Sequence, residues 1–417
     1  MSTPILSRSR QALASCTVLL AATGSLWAQE PAPLPTPQPP QHTLLEALKE
    51  GTVSINLRYR FENVDQDGIA KQAHASTLRT ALGYRTLPFH GFQALIEFED
   101  VRPIGEENYN DTINGSPRPV VADPQGTEVN QAYLDYLFDG GTVTRLGRQR
   151  IVLDNQRFIG DVAWRQNYQT FDAVSLTHGL SESGEVFVAY LDNVNRIFGE
   201  NSPMGDARMG SVLLNASWKF GLGKLTGYWY ELDYDDNVTL STSTLGLRLV
   251  GTHDASEDLG LLYTLEAATQ DDTGDNPNNV DAEYYLAELG GGMRGVTVKL
   301  GFESLSGSSN TGDMFTTPLA LLHAHNGWAD KFLMTPQGGL EDTFLSVKAK
   351  VVGATCQAVY HNFEAETGGG DYGSEFDLAV TRPINENVSW GLKYANYMED
   401  GLFTDTEKFW AWLSVNI

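Results

Sequence analysis

Cysteine is nearly absent: Cys16 and Cys356 are the two in 417 residues. Such a chain has no disulfide framework, and Cys356, alone in its region, reads as a packing residue. Long apolar runs are missing too. Beyond the N-terminal region no stretch approaches about 18 consecutive apolar residues, which excludes a transmembrane helix. Positive charge is scarce, with 28 lysines and arginines against 53 acidic residues and a formal net charge of −25. A nucleic-acid binder carries a basic footprint, so that class is excluded. Signatures of catalysis are lacking as well: there is no phosphate loop, no nucleophile elbow and no His-Glu-x-x-His. Carboxylates are plentiful, yet no spacing singles out an acid–base pair. The acidic run Asp271, Asp272 and Asp275 lacks the glutamate that closes a calcium loop. The chain is therefore not expected to be an enzyme or to carry a metal or cofactor.

What is present begins with an export signal. Arg8 and Arg10 precede an apolar stretch from Ala12 to Leu26, and Ala28 suits the residue before a cut, so residues 1–28 read as a secretory signal peptide. Leu13-Ala14-Ser15-Cys16 resembles a lipoprotein box, but most of the apolar stretch follows Cys16. Residues 29–50 form a proline-rich linker, with Pro31, Pro33, Pro35, Pro37, Pro39 and Pro40, and a short segment with Leu44, Leu45, Ala47 and Leu48 that suits a brief amphipathic helix.

Residues 51–417 carry a rhythm. Val53, Ile55, Leu57, Tyr59 and Phe61 alternate with Ser54, Asn56, Arg58, Arg60 and Glu62, and a strand sends successive side chains to opposite faces. The pattern recurs in about eighteen segments of ~10–14 residues, from 51–64 and 74–87 to 386–399 and 404–417, a length that suits tilted membrane strands. Breaks after even-numbered segments are short, as at Asp139-Gly140-Gly141 and Gly290-Gly291-Gly292. Several after odd-numbered segments are long, as at 103–126, 153–166, 197–206 and 307–340. Short turns at one end and long loops at the other are what a transmembrane, antiparallel, up-and-down β-barrel of the Gram-negative outer membrane requires, and a single-chain barrel needs an even strand count. The aromatics Tyr228, Tyr230 and Tyr234, and likewise Trp390 and Tyr394, share a parity and are candidates for the interfacial girdle, with ordinary cross-strand packing as the alternative.

Charge then locates the lumen. Arg58, Arg60, Arg79, Arg85 and Arg248 fall opposite the apolar face of their segments, as do Lys299, Lys348 and Lys393; Arg148 and Arg150 share a face whose polarity is less plain. Fixed guanidinium groups make an electropositive constriction that attracts anions and bind carboxylates bidentately. Glu97, Glu99, Asp135, Glu231 and Glu303 project inward by the same parity, either as partners that orient the cations or as halves of a salt-bridge network without net selectivity. The segment 307–340 is too long for a plain turn and too apolar for disorder. With Phe315, His323, His325, Trp328, Asp330 and Lys331 it is expected to fold into or across the mouth as a constriction loop. His323 and His325 lack companion ligands, so packing and hydrogen bonding are expected of them rather than a metal.

The run Leu146-Gly147-Arg148-Gln149-Arg150 through Asp154-Asn155-Gln156-Arg157-Phe158-Ile159-Gly160, continuing to Trp164-Arg165-Gln166-Asn167 and Phe171-Asp172-Ala173, resembles the core motif of the alginate export family of outer-membrane proteins. Thr317-Pro318-Leu319, Asn326-Gly327-Trp328-Ala329-Asp330-Lys331-Phe332 and Asn56-Leu57-Arg58-Tyr59-Arg60-Phe61-Glu62 are similar to further stretches of that family. The resemblance implies an eighteen-stranded barrel and an arginine-rich pore that passes a polyuronate. By motif it gives pore roles to Arg58, Arg60, Arg148, Arg150, Arg157 and Arg165. The chain departs at its end, where Ile417 stands in place of the usual aromatic. The expected function is a passive channel for anionic solutes, acidic polysaccharide or its fragments, with a porin for small carboxylates as the alternative and a barrel-borne enzyme or surface adhesin behind both. Expected partners are that solute, outer-membrane lipid and lipopolysaccharide, and the barrel-assembly machinery.

Overall fold

Alternation decides the architecture. In the computed structural model, which describes residues 42–256 and 259–417, each alternating segment is a strand: β1 (Thr52–Gln66), β2 (Ala73–Arg85), β3 (Phe92–Pro103), β4 (Gly126–Leu137), β5 (Thr142–Gln149), β6 (Thr170–Ser181), β7 (Gly184–Asn195), β8 (Asp206–Phe220), β9 (Gly223–Leu232), β10 (Thr242–Asp254), β11 (Leu259–Asp272), β12 (Asp281–Met293), β13 (Val296–Leu305), β14 (Leu340–Val351), β15 (Ala354–Glu364), β16 (Asp371–Pro383), β17 (Val388–Glu399) and β18 (Thr406–Asn416). One short helix, α1 (Leu44–Lys49), precedes them. The proposed signal peptide and most of the proline-rich linker lie outside the described residues.

Every strand pairs antiparallel with its sequence neighbours, and β1 pairs with both β2 and β18, so the 18-stranded sheet closes. Closure leaves no unpaired edge, which is what lets strands cross a bilayer. The polarity is that of a membrane wall. Leu245 and Leu247 on β10 stand outward and about 60% exposed (62% and 59%), whereas Arg248 between the next pair of positions is 8% exposed. The two-residue turns keep one end tight: Arg294-Gly295 and Val352-Gly353 both run at positive φ, 50° and 80°, then 49° and 77°, as hairpins of type I′ require. Within the wall, bulk is traded against glycine. Gly391 has no room for a side chain because the Trp412 indole of the neighbouring strand lies over it.

β9 inverts the sequence expectation. Tyr228, Tyr230 and Leu232 point inward and are buried, while Trp229 pairs with outward Leu245. Tyr228 and Tyr230 are thus not girdle residues, and Glu231 is not a lumen residue, because one step of parity moves every side chain to the other face. Tyr234, beyond the strand, is buried as well. Trp390 and Tyr394 lie on the outward parity of Leu392.

Candidate functional site

Two long loops fold inward and meet. The β5–β6 loop, 150–169, is held at one end by β1 and β2. Arg58 donates from Nε to Gln166 Oε1 and from Nη1 to the Ala163 carbonyl, both 2.9 Å, and from Nη2 to the Arg165 carbonyl. Arg60 donates to the Trp164 carbonyl and pairs with Asp123 of the β3–β4 loop. Gln166 Nε2 reaches Thr77 Oγ1 on β2 at 2.9 Å. At its other end Asp154 accepts from Asn215 on β8 (2.8 Å) and from Lys224 on β9 (3.4 Å). Because β1 and β9 sit on nearly opposite sides of the barrel, this loop crosses the lumen.

The β13–β14 loop, 306–339, docks on the first. Ile159 and Leu319 form a parallel bridge, with Gly160 N–H to the Leu319 carbonyl (2.9 Å) and Leu321 N–H to the Gln156 carbonyl (3.0 Å). It reaches β11 through Thr316 N–H to Gln270 Oε1 (2.8 Å). It reaches β16 through Ala329 N–H to Glu375 Oε1 (2.6 Å) and Trp328 N–H to Asp377 Oδ2 (3.3 Å). Phe158, Phe315, Tyr228 and Tyr284 pack where the two loops join.

Two charged hubs lock the assembly. Arg157, fully buried, donates to Glu303 on β13 (2.8 Å), to Thr317 (3.3 Å) and to Asn326 Oδ1 (3.0 Å). Asp330 receives Arg165 (3.2 Å), Lys408 from β18 (2.7 Å) and His323 Nδ1 (2.6 Å). Burial would raise the Asp330 carboxyl, but His323 and Lys408 more than offset it and hold it well below the usual range. Burial pulls His323 well below the ordinary imidazole value. A neutral imidazole with its proton on Nδ1 satisfies the geometry, donating to Asp330 and accepting from Lys393 Nζ at 2.7 Å. Its ring stacks on Trp164 at 4.1 Å, and Lys393 sits 3.7 Å over the Trp328 ring. His325 is half-buried beside Arg157 and is drawn down to about 3, by desolvation first and by that guanidinium second. Asp154, Gln156, Val162, Asn326 and Asp330 all adopt positive φ, a conformation that persists only where surrounding contacts over-determine it.

The arginines singled out from the sequence therefore divide. Arg58, Arg60, Arg79, Arg157, Arg165 and Arg248, with Lys393, lie inside the barrel but are buried. They hold loop carbonyls, carboxylates and rings rather than forming an open cationic lining. Arg79 pairs with Glu99 (3.6 Å), and the Tyr168 ring lies between Arg79 and Arg150 at 4.4 and 4.3 Å. Arg148 faces outward: it is in register with Ala132 and Asp172, on the parity of outward Leu134 and Val174, and pairs with Asp172 (2.9 Å). It shares a numerical parity with Arg150, but β5 ends at Gln149, so parity no longer governs Arg150, which turns in to Asp161.

Other inward charges remain on the wall. Arg85 donates to Tyr133 (2.8 Å), and Glu97 accepts from Asn130 (2.7 Å) and Gln131 (3.1 Å). Lys299 pairs with Glu288, and Lys348 lies on the same inward parity as buried Ser346. Three pairs share an orientation. Arg145 is 26% exposed over Asp135 at 3%, Arg150 20% over Asp161 at 1%, and Lys224 42% over Asp154 at 11%. In each the carboxylate is sunk and the cation is presented. Sequence reasoning missed Asp342, His361, Glu375, Asp377 and Lys408, although all but Asp342 stand next to an outward apolar or aromatic residue; Asp342, between Glu341 and Thr343, and Asp123 carry no such local signal.

The alginate export family model matches residues 50–303. No curated protein sequence matches the chain. Among solved structures, the Acinetobacter baumannii porin OccAB2 superposes with a TM-score of 0.69 at 16% identity, covering 88% of this chain and 98% of that one. OccAB3 of the same organism gives 0.70 at 13%, covering 88% and 99%. Pseudomonas aeruginosa OpdK, solved with vanillate, gives 0.69 at 13%, covering 88% and 99%. At these identities the likeness is one of fold, and it is the closed 18-strand barrel of outer-membrane porins. The family model spans well over half of the chain, from before β1 into β13, and the chain belongs to the alginate export family.

Proposed function

We propose that the barrel is a passive, anion-preferring channel of the outer membrane for carboxylate-bearing solutes, short uronate oligomers and small organic acids. The observation that carries this reading is the orientation of three ion pairs, with Arg145, Arg150 and Lys224 presented and their carboxylates buried. A passing anion meets guanidinium and ammonium groups first, in a setting where water is restricted and their field is less screened. Arginine adds a planar fork that matches a carboxylate. Family membership supports a uronate as the solute. Two loops folded across the lumen favour fragments over a bulky polymer, and the vanillate of the P. aeruginosa structure is itself a small carboxylate.

The test is the reversal potential of the purified protein in a planar bilayer under a salt gradient. Wild type is compared with the triple variant Arg145→Gln, Arg150→Gln, Lys224→Gln. The expected result is anion preference that collapses in the variant, and current block by oligouronates or benzoate-type acids in wild type only. Cation preference in wild type would overturn the proposal.

A further inference from the structure

Helix α1 has no role in the lumen, yet it is built with care. Thr43 and Glu46 form a reciprocal capping box, with Thr43 N–H to Glu46 Oε2 at 2.7 Å and Glu46 N–H to Thr43 Oγ1 at 3.2 Å. Six residues do not hold a helix in water, and tertiary contacts supply the rest. Ala47 is buried, its carbonyl accepts from Leu87 N–H (3.1 Å), and the Tyr84 hydroxyl donates to the Leu48 carbonyl. Those ties fix α1 at the short-turn end of the wall, beside the β2–β3 turn. They also set its exposed side. Leu44, Leu45 and Leu48 are 55%, 60% and 52% exposed. At 3.6 residues per turn they share an arc of about 100°, with Lys49 at its flank and Glu46 on the far side.

What flanks those leucines names their partner. Tyr84 shares the outward parity of Leu82, and Val53 opposite it is also exposed. On the other flank, Phe92 packs edge-on to Tyr136 (4.7 Å) and Tyr136 to Phe138 (4.5 Å), an aromatic ladder on the outward face of β3 and β4. The leucines thus continue the lipid-facing band at the level where barrels carry their girdle, and short turns mark the periplasmic side. We propose that α1 is an interfacial anchor whose leucines seat in the phospholipids of the periplasmic leaflet, with Lys49 and Glu46 left in the headgroup layer. The proposal rests on the outer-membrane reading of the barrel and is independent of what the lumen passes. An amphipathic helix lying along an interface with aromatic neighbours is suited to that task.

The experiment uses the full chain with Cys16→Ser and Cys356→Ser, reconstituted in phospholipid nanodiscs. Single nitroxide labels are placed at Leu45→Cys, at Glu46→Cys and, as a wall control, at Leu245→Cys. Collision rates with oxygen and with a water-soluble nickel chelate are then measured. The expected result is high oxygen and low nickel access at position 45, the reverse at position 46, and lipid-like access at position 245. Nickel access at position 45 equal to that at 46, with 245 still lipid-like, overturns the anchor alone. A label at 45 immobilised and shielded from both reagents also overturns it, since that indicates a protein partner or a second copy. Nickel access at 245 would instead refute the membrane-wall reading on which the proposal stands.

Discussion

Replacing Arg157 with leucine tests whether the buried charges are scaffolding. Arg157 carries three hydrogen bonds, to Glu303, Thr317 and Asn326, at 2.8 to 3.3 Å. Its removal leaves the Glu303 carboxylate buried with Tyr284 (2.6 Å) and Asn326 as its donors. Breaking a buried ion pair by deleting one partner costs about 3–5 kcal/mol, because the orphaned charge stays desolvated. The strands carry their own ladder of backbone hydrogen bonds, so the loss should fall on the docking of the two loops and not on the barrel. With about 1.4 kcal/mol per decade, amide exchange at Gly160 and Leu321, whose N–H groups bridge the loops, should quicken by about two to four decades. Exchange in β10 and β11 should stay unchanged. The double variant Arg157→Leu, Glu303→Leu removes both charges and should recover much of that protection, since replacing a whole buried pair by apolar groups is near neutral. Hydrogen exchange read by mass spectrometry on wild type, both single variants and the double variant closes the cycle. The reasoning is refuted if the double variant loses as much protection as the two singles added together.

Lys331 lies in the inner loop with its ammonium against Thr406 Oγ1 (2.6 Å) and over the Tyr397 and Phe403 rings. Burial, and then Lys408, draw it down to about 8. A lysine lowered in the fold is charged at a cost below that value, and the cost is relieved as pH rises from about 8 toward its free value of about 10.4. Anion preference should therefore weaken between pH 7 and 9 in wild type and not in Lys331→Gln; reversal potentials across that range decide it. At the β14–β15 turn, Val352 holds φ of 49° while 84% exposed, a conformation that costs a β-branched residue about 1–2 kcal/mol. Val352→Asn should raise stability by about 1 kcal/mol, seen as a later midpoint in urea unfolding from bilayers, and an earlier midpoint would contradict the assignment of strain.

The strands were legible because a membrane wall allows little else: outward positions must be apolar along every strand, and the alternation survives single-residue noise. It failed where the inside is apolar too. Loops fold into this barrel, so Tyr228 has Phe158 at 5.2 Å to pack against, and β9 shows apolar groups on both faces, Tyr228 within and Trp229 without. Parity alone cannot choose between them. Arg148 misled for a different reason. Its strand is short, ends one residue later at Gln149, and offers Leu146 as its one plain outward marker. The site was less legible than the wall, because its partners are distant in sequence. Arg58 and Ala163 are 105 residues apart, and Arg157 and Asn326 are 169 apart. A pattern with period two says which face a residue occupies, but not which loop arrives there.

The way those loops are held explains why so many charges are spent inside a wall that needs none for closure. Irregular backbone buried inside the barrel and away from water must find its hydrogen-bond partners in protein. On the β1 side the partners are donors: Arg58 and Arg60 cap the carbonyls of Ala163, Trp164 and Arg165. On the β16 side they are acceptors: Glu375 and Asp377 receive the amides of Ala329 and Trp328. Cations stand where carbonyls arrive, and carboxylates where amides arrive. Arg58, Arg60, Glu375 and Asp377 thus answer to the backbone of the loops, and the stretch 56–60 acts as a clamp on the loop that crosses the lumen. On the proposed reading selectivity rests on the presented cations, of which Arg145 pairs within the wall, Arg150 belongs to the crossing loop and Lys224 also ties that loop through Asp154. Arg145, paired with Asp135 strand to strand, is then the position where the proposed selectivity is retuned without touching either inner loop.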